Sequence, residues 1–145
     1  EYLPNAQTYV EECLSEKGDL RNVDQVYSDK GGFFWVLVRK QQPGREQDDT
    51  VVETVGMEKI SDTVCKLRRM CLISTLRRQG WGTKLGKSFQ QTVKESGFQK
   101  VICSTPEHGD DVLLFYKKLG FVDTNKRSKI HSSPISEVFL EWNVA

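Results

Sequence analysis

Residues 64–105 read VCKLRRMCLI (64–73), STLRRQGWG (74–82), TKLGKSFQQTVKES (83–96) and GFQKVICST (97–105), and this stretch decides the fold. Val64 to Ile73 is a short apolar and basic run that predicts a strand. Gly82 to Ser96 sets Leu85, Phe89 and Val93 on one face, which predicts an amphipathic helix with Gly97 as its C-terminal cap. Lys100 to Thr105 predicts a second short, buried strand. The helix between the two strands is a crossover, so they are expected to lie side by side and parallel. Arg77-Arg78-Gln79-Gly80-Trp81-Gly82 joins the first strand to the helix, and its glycines let main-chain N–H groups crowd around an anion. The helix N-terminus adds about half a positive charge there. With Arg77 and Arg78 beside it, a diphosphate is the expected occupant.

Reading outward, Tyr9, Val10, Cys13 and Leu14 predict a helix over 5–17 that stops at Gly18. A second short helix is expected after Asp19, with Leu20, Val23, Val26 and Tyr27 on one face, ending near Gly31. Gly32 to Arg39 (GFFWVLVR) is aromatic and β-branched, as a largely buried strand requires. Gln41 to Asp49 reads as a loop, and Val51 to Ile60 as a strand interrupted at Gly56, so the two strands form a hairpin. Asp110 to Leu119 predicts a helix capped by Gly120. Phe121 opens a strand, Val138 to Trp142 supplies the last one, and Asn125 to Pro134 (NKRSKIHSSP) is expected as an exposed loop between them. This order of elements describes a mixed α/β domain occupying residues 1–145.

The balance of 21 Lys and Arg against 20 Asp and Glu leaves no overall field to draw the chain to nucleic acid or to a membrane. Between Lys66 and Lys87 the cations are Lys66, Arg68, Arg69, Arg77, Arg78, Lys84 and Lys87, with no acid among them. An anion site and a solvated basic face are both compatible with that run. The cysteines Cys13, Cys65, Cys71 and Cys103 stand in apolar runs without C-x-x-C spacing, so reduced thiols and an intracellular, cytoplasmic setting are expected. His108 and His131 do not group with them, so no metal site is expected. No run approaches the ~20 apolar residues that a membrane-spanning helix needs. Gly86-Lys87-Ser88 imitates the end of a nucleotide-binding P-loop, but the first glycine of that pattern falls on Trp81.

Arg77-Arg78-Gln79-Gly80-Trp81-Gly82 resembles, position by position, the acetyl-CoA signature [RQ]-x-x-G-x-[GA] of the GNAT superfamily of N-acetyltransferases. Leu114-Phe115-Tyr116 through Gly120-Phe121 resembles that family's tyrosine-bearing helix followed by Gly-Phe. Phe34-Trp35-Val36 and Leu67-Arg68-Arg69-Met70 are most similar to the camello-like subgroup, and the likeness runs over residues 9 to 123 or so. It implies a mainly antiparallel sheet with one parallel, splayed strand pair, flanked by helices. It also implies transfer of an acetyl group from acetyl-CoA, as cosubstrate and without a metal, to a primary amine of a small molecule or a lysine. Subgroup members carry a hydrophobic, membrane-associated segment upstream. This chain begins about where such a segment ends, so a truncated form or a soluble relative is expected.

The resemblance assigns residues as well. The backbone of Met70, Cys71, Leu72 and Ile73 would pair with the pantetheine arm, and an N–H near Leu72 would face the thioester oxygen as it gains charge. Arg77, Arg78, Gln79, Gly80, Trp81, Gly82 and Thr83 would hold the diphosphate, Thr105 would line the facing strand, and Tyr116 would protonate the leaving thiolate. Two positions depart from the family pattern: Gly109 stands for a frequent asparagine and Lys66 for a frequent glutamate. The general base stays open among Glu53, Glu58, His108, His131, Glu141 and a water relay. Lys117 and Lys118 complement their helix dipole, and Trp81 is expected to pack under its helix rather than stack on adenine. Lys126, Arg127, Lys129 and His131 form a positive roof suited to an acceptor that also bears a carboxylate. A non-catalytic coenzyme A or diphosphate-binding module is the competing reading, and a nucleic-acid binder a distant one. The sequence sets no oligomeric state.

Overall fold

The computed structural model of the chain describes residues 18–40, 43–44, 49–73, 76–107, 110–130 and 135–144. The helix expected over 5–17 lies outside them, as do Cys13, His108, Gly109 and His131 and most of the loop from Gln41 to Asp49. The strands are β1 (Phe33–Arg39), β2 (Thr50–Lys59), β3 (Val64–Leu72), β4 (Lys100–Pro106), β5 (Val122–Lys129) and β6 (Ser136–Asn143). The helices are α1 (Val23–Val26), α2 (Trp81–Glu95) and α3 (Asp110–Lys118), with a 3₁₀ turn at Ser28–Lys30.

The strands form a six-stranded sheet in the order β1-β2-β3-β4-β6-β5. Every neighbouring pair is antiparallel except β3 and β4. That one parallel pair spans the α2 crossover, as the sequence requires. Period-two alternation divides the residues between the faces. Val55 and Met57 of β2, Cys65 and Leu67 of β3, Val101 and Cys103 of β4, and Val138 and Leu140 of β6 form one buried core with Phe89 and Val93 of α2 and Tyr116 and Leu119 of α3. Gly86 of α2 faces Leu119, the residue just past α3, and a Cβ there would stand 2.6 Å from a Leu119 methyl. A fully buried side chain such as Phe89 contributes about 2–3 kcal/mol by leaving water.

The opposite face carries fully buried Tyr27, whose ring lies 5.2 Å from that of Phe34 and against Gly56. Gly56 therefore does not interrupt β2; it makes room for an aromatic ring on a continuous strand. Three further expectations are corrected. The helix after Asp19 shrinks to the four residues of α1, and Leu20 lies before it. Helix α2 begins one residue earlier than read, at Trp81. The stretch from Asn125 is not a loop until Lys129 has passed, because 125–129 belong to β5. β5 is an edge strand paired only with β6, so it lacks the apolar run that marks a buried strand. Thr124 fastens it through a hydroxyl bond to the Phe139 carbonyl (2.9 Å).

Among the described residues no helix is long and apolar enough to cross a membrane. Because a Cβ at Gly56 would stand 2.7 Å from Tyr27 and 3.0 Å from Phe34, Gly56→Ala should cost about 1–3 kcal/mol through overpacking. The midpoint of denaturant unfolding measures it.

Candidate functional site

β3 and β4 pair at only three positions, Val64↔Lys100, Cys65↔Val101 and Lys66↔Ile102. Beyond Lys66 the strands part, and a cavity of about 540 Å³ opens between them. Leu67, Arg68, Arg69, Met70 and Cys71 line one side and Ser104 and Thr105 the other. Tyr116 and Val112 of α3 contribute from the helix layer, and Leu20, Phe34 and Thr54 from the rest of the fold.

A bulge accompanies the parting. Between Thr54↔Cys71 and Gly56↔Arg68, β3 carries one residue more than β2, and Arg69 there has φ of 55°. That left-handed backbone is strained for a non-glycine residue. It is held at both ends. Thr54 Oγ1 donates to the Arg69 carbonyl at 2.7 Å, and the Arg69 guanidinium donates to both oxygens of Asp19, at 2.9 Å and 2.5 Å. Tyr27 donates its hydroxyl proton to the same carboxylate at 2.7 Å. Arg68 stands 3.6 Å from Asp19 and bonds Glu58 at 3.0 Å. Burial by itself would raise the pKa of Asp19, but the bonds from Arg69 and Tyr27 and the nearby guanidinium charges hold it down at about 2.

The loop after β3 enters α2 through two left-handed residues, Arg78 (φ 63°) and Gly80 (φ 83°). Gly80 is the N-cap and has no side chain to cap the helix, and the first turn of α2 holds no acidic residue. The first intrahelical bond runs from the Lys84 amide to the Gly80 carbonyl. The amides of Trp81, Gly82 and Thr83 thus belong to the first turn, whose N–H groups have no acceptor within the helix. Arg77 bonds the Leu72 carbonyl through Nε at 3.2 Å, and Arg78 stands 3.7 Å from Asp111 in a fully solvated pair. Trp81 is exposed, with the Lys84 ammonium 4.9 Å from its ring centre, so it does not pack beneath its helix as expected.

The sequence-derived residues fall in two groups. Met70, Cys71, Thr105 and Tyr116 line the cavity, while Arg77, Arg78, Gln79, Gly80, Trp81, Gly82 and Thr83 lie outside its lining, in the loop and first turn of α2. The Ile73 amide bonds the Val52 carbonyl at 3.0 Å, so it belongs to the β2 ladder. Strand alternation then turns the N–H and carbonyl of Leu72 toward the open edge, where Arg77 meets that carbonyl. Tyr116 is 6% exposed and packs edge-on against Phe115 and Phe121. Burial, helped by Cys103, raises its pKa and keeps the phenol protonated. Burial also pushes the thiols of Cys65 and Cys103 up to about 12, and both are free; Cys71 is free and exposed.

Of the candidate bases, Glu58 is paired with Arg68 and Glu141 stands 3.7 Å from Lys100. Glu53 is 2% exposed, and among the described residues neither carboxyl oxygen has a hydrogen-bond partner. The positive roof is in part neutralised, because Arg127 bonds Asp123 at 2.9 Å and 2.8 Å and lies 3.5 Å from Glu107. The Asp19 cluster was missed in the sequence reading. Its only signal was the pair of adjacent arginines in a strand, and its acid lies fifty residues away in the chain. Among the described residues no group of three or more His, Cys, Asp or Glu gathers as metal ligands do.

A parallel strand pair that parts beside an uncapped helix N-terminus defines a class of mixed α/β proteins with a cleft through the sheet. Residues 4–121 match the family model described as "Acetyltransferase (GNAT) family", and the chain belongs to that family. It is 28% identical over 127 residues to a mouse protein named "Probable N-acetyltransferase family 8 member 5", covering 84% of this chain and 52% of that one. The chain spans about half the length of the curated relatives it matches. An acetyltransferase of the GNAT family from Staphylococcus aureus superposes with a TM-score of 0.72 at 20% identity, covering 100% of this chain and 97% of that one. A GNAT family acetyltransferase from Elizabethkingia anophelis, solved with acetyl-CoA bound, superposes with a TM-score of 0.63 at 15% identity, covering 99% of this chain and 92% of that one.

Asp19→Asn should lower stability by about 2–3 kcal/mol at pH 7, because it leaves two guanidiniums without their shared anion. The folded-state pKa of Asp19 is depressed from 3.8 to about 2, so its contribution is present above pH 3.8 and is lost as pH falls toward 2. Unfolding midpoints between pH 2 and pH 7 should show that loss in the wild type and a flatter profile in the variant.

Proposed function

We propose that the chain is an acetyl-CoA-dependent N-acetyltransferase of the camello-like kind, acting on a primary amine of a small molecule or a lysine side chain. The observation that carries this reading is the parting of β3 from β4 after Lys66, together with the first-turn amides of α2, whose leading loop meets the end of β3 through Arg77 and the Leu72 carbonyl. An extended ligand with an anionic linker fits such a cleft, because the unpaired strand edge meets its amides and the helix terminus meets its charge. The family match and the mouse relative's name support the acyl-transfer reading, and the Elizabethkingia neighbour carries acetyl-CoA on the same fold. Free, buried thiols favour a reducing, intracellular compartment. The domain reading is a single cofactor-binding unit over 1–145.

Bound acetyl-CoA supplies the acetyl group as a thioester. The amides of residues 79–83, with Arg77 and Arg78, would hold the diphosphate. Met70 and Leu72 present main-chain groups to the pantetheine arm. The Leu72 N–H stabilises the charge that grows on the thioester oxygen when the amine attacks. Tyr116 would donate a hydrogen bond and its proton to the departing sulfur, while the proton that the attacking amine gives up passes to water and solvent restores the phenol. Its raised pKa keeps the phenol neutral, so that it can donate a hydrogen bond to the sulfur as the carbon–sulfur bond breaks. Thr105 lines the opposing strand, and the acceptor enters past Leu20 and Phe34.

Amine-dependent release of free thiol, screened over a panel of amines, tests the reading. Tyr116→Phe should lower turnover by roughly 10 to 1,000-fold with coenzyme A affinity nearly unchanged. Replacing Arg77 and Arg78 by Ala should weaken coenzyme A binding by about tenfold or more. Cofactor binding without thiol release on any amine would assign the chain to the binding-module reading instead.

A further inference from the structure

Glu53 is the buried acid that the mechanism above leaves unused. It sits on β2 with Leu37 and Leu72 as cross-strand partners. Its side chain points into the helix layer, where its Oε1 lies 3.8 Å from the Cβ position of Gly82, the second residue of α2. The ring of Phe115 closes on the same glycine, 3.4 Å from that position. The carboxyl is thus packed directly behind the turn whose amides face outward as the anion cradle. It is 2% exposed, and both of its oxygens lack a hydrogen-bond partner among the described residues.

The ionisable groups on the surrounding elements do not compensate it. Arg39 on β1, Cys71 on β3, Arg77 and Arg78 in the loop, Lys84 on α2, and Asp111, Lys117 and Lys118 on α3 form no bond or ion pair with it. Arg68 and Arg69 of β3 are committed to Glu58 and Asp19. An ionised carboxylate here has no hydrogen bond among the described residues, and only the partial positive charge at the head of α2 offsets its desolvation; burial raises the pKa of Glu53. A proton removes that penalty. A diphosphate arriving on the other side of the same turn adds like charge at short range, which makes the proton still more favourable.

We propose that Glu53 is a further residue of the cofactor site, a proton-binding group behind the head of α2 that takes up a proton as the diphosphate binds in front of it. The proposal rests on the cofactor reading given above and assigns a part of that site to a residue outside the signature loop. Because the bound anion raises the pKa of Glu53 further, binding consumes protons. Affinity is greatest at low pH and falls as pH rises from the pKa of the free protein to that of the complex. A neutral isostere removes this dependence and keeps the tight-binding form at every pH.

Calorimetry with dephospho-coenzyme A tests this, because that probe lacks the phosphate monoester that itself titrates near pH ~6. Titrations at pH 5.5, 7 and 8, in buffers of different ionisation enthalpy, count the protons taken up per ligand. The wild type should take up a measurable fraction of a proton and bind about tenfold more weakly at pH 8 than at pH 5.5, equivalent to one pKa unit of coupling. Glu53→Gln should take up none, and at pH 8 should bind about tenfold more tightly than the wild type. Glu53→Met, which keeps the volume and removes the polar group, should behave as Glu53→Gln does and serves if that variant folds poorly. Equal proton uptake in the wild type and the variants, or pH-independent binding by the wild type, overturns the proposal alone. No binding by well-folded wild type overturns the cofactor reading and the proposal with it.

Discussion

The parallel contact between β3 and β4 ends after Lys66 and Ile102, and the site exists because it ends there. A parallel ladder that ran on to Leu72 would leave a closed sheet with no cleft for a ligand to enter. What turns β3 aside is the extra residue at Arg69, since a bulge bends the strand that carries it and increases its twist. Such a backbone costs about 1–3 kcal/mol for a residue with a side chain. It persists because Thr54 fixes the Arg69 carbonyl and Asp19 fixes the guanidinium, so the strain is over-determined from both sides.

That arrangement also sorts the cations. In the chain, the seven basic residues from Lys66 to Lys87 form one uninterrupted block. In the fold they separate. Arg68 and Arg69 turn to Asp19 and Glu58 and become internal fasteners of the strand. Arg77 and Arg78 remain at the head of α2, where the backbone offers its own partial charge. Arg127, on the distant edge strand, is likewise occupied by Asp123 and Glu107. Arg68, Arg69 and Arg127 are thus held by carboxylates, while Arg77 has no acidic partner among the described residues.

The core places the reactive groups relative to the cleft. Tyr116 is held by Phe115 and Phe121 and borders the cavity from the helix layer. Gly86 of α2 faces Leu119, the residue just past α3. The same packing seals Glu53 behind Gly82, so one layer of side chains both orients the phenol and withdraws a carboxyl from water.

The crossover, the loop at 77–82 and the apolar stripe of α2 were legible in the sequence because each is local: a 3.6-residue period, a pair of glycines and a capping Gly97 need no distant partner. β5 was not legible, since an edge strand paired on one side carries no run of buried residues. Nor was the role of Gly56, which looked like a break until Tyr27 was found lying on it. The sequence by itself determined the α/β class, the parallel neighbours and the loop that joins β3 to α2. Only the tertiary structure decided which arginines are held by carboxylates, where β3 leaves β4, and that Glu53 has no hydrogen-bond partner among the described residues. Those facts depend on residues fifty or thirty positions apart meeting in space, and no spacing along one segment encodes such a meeting.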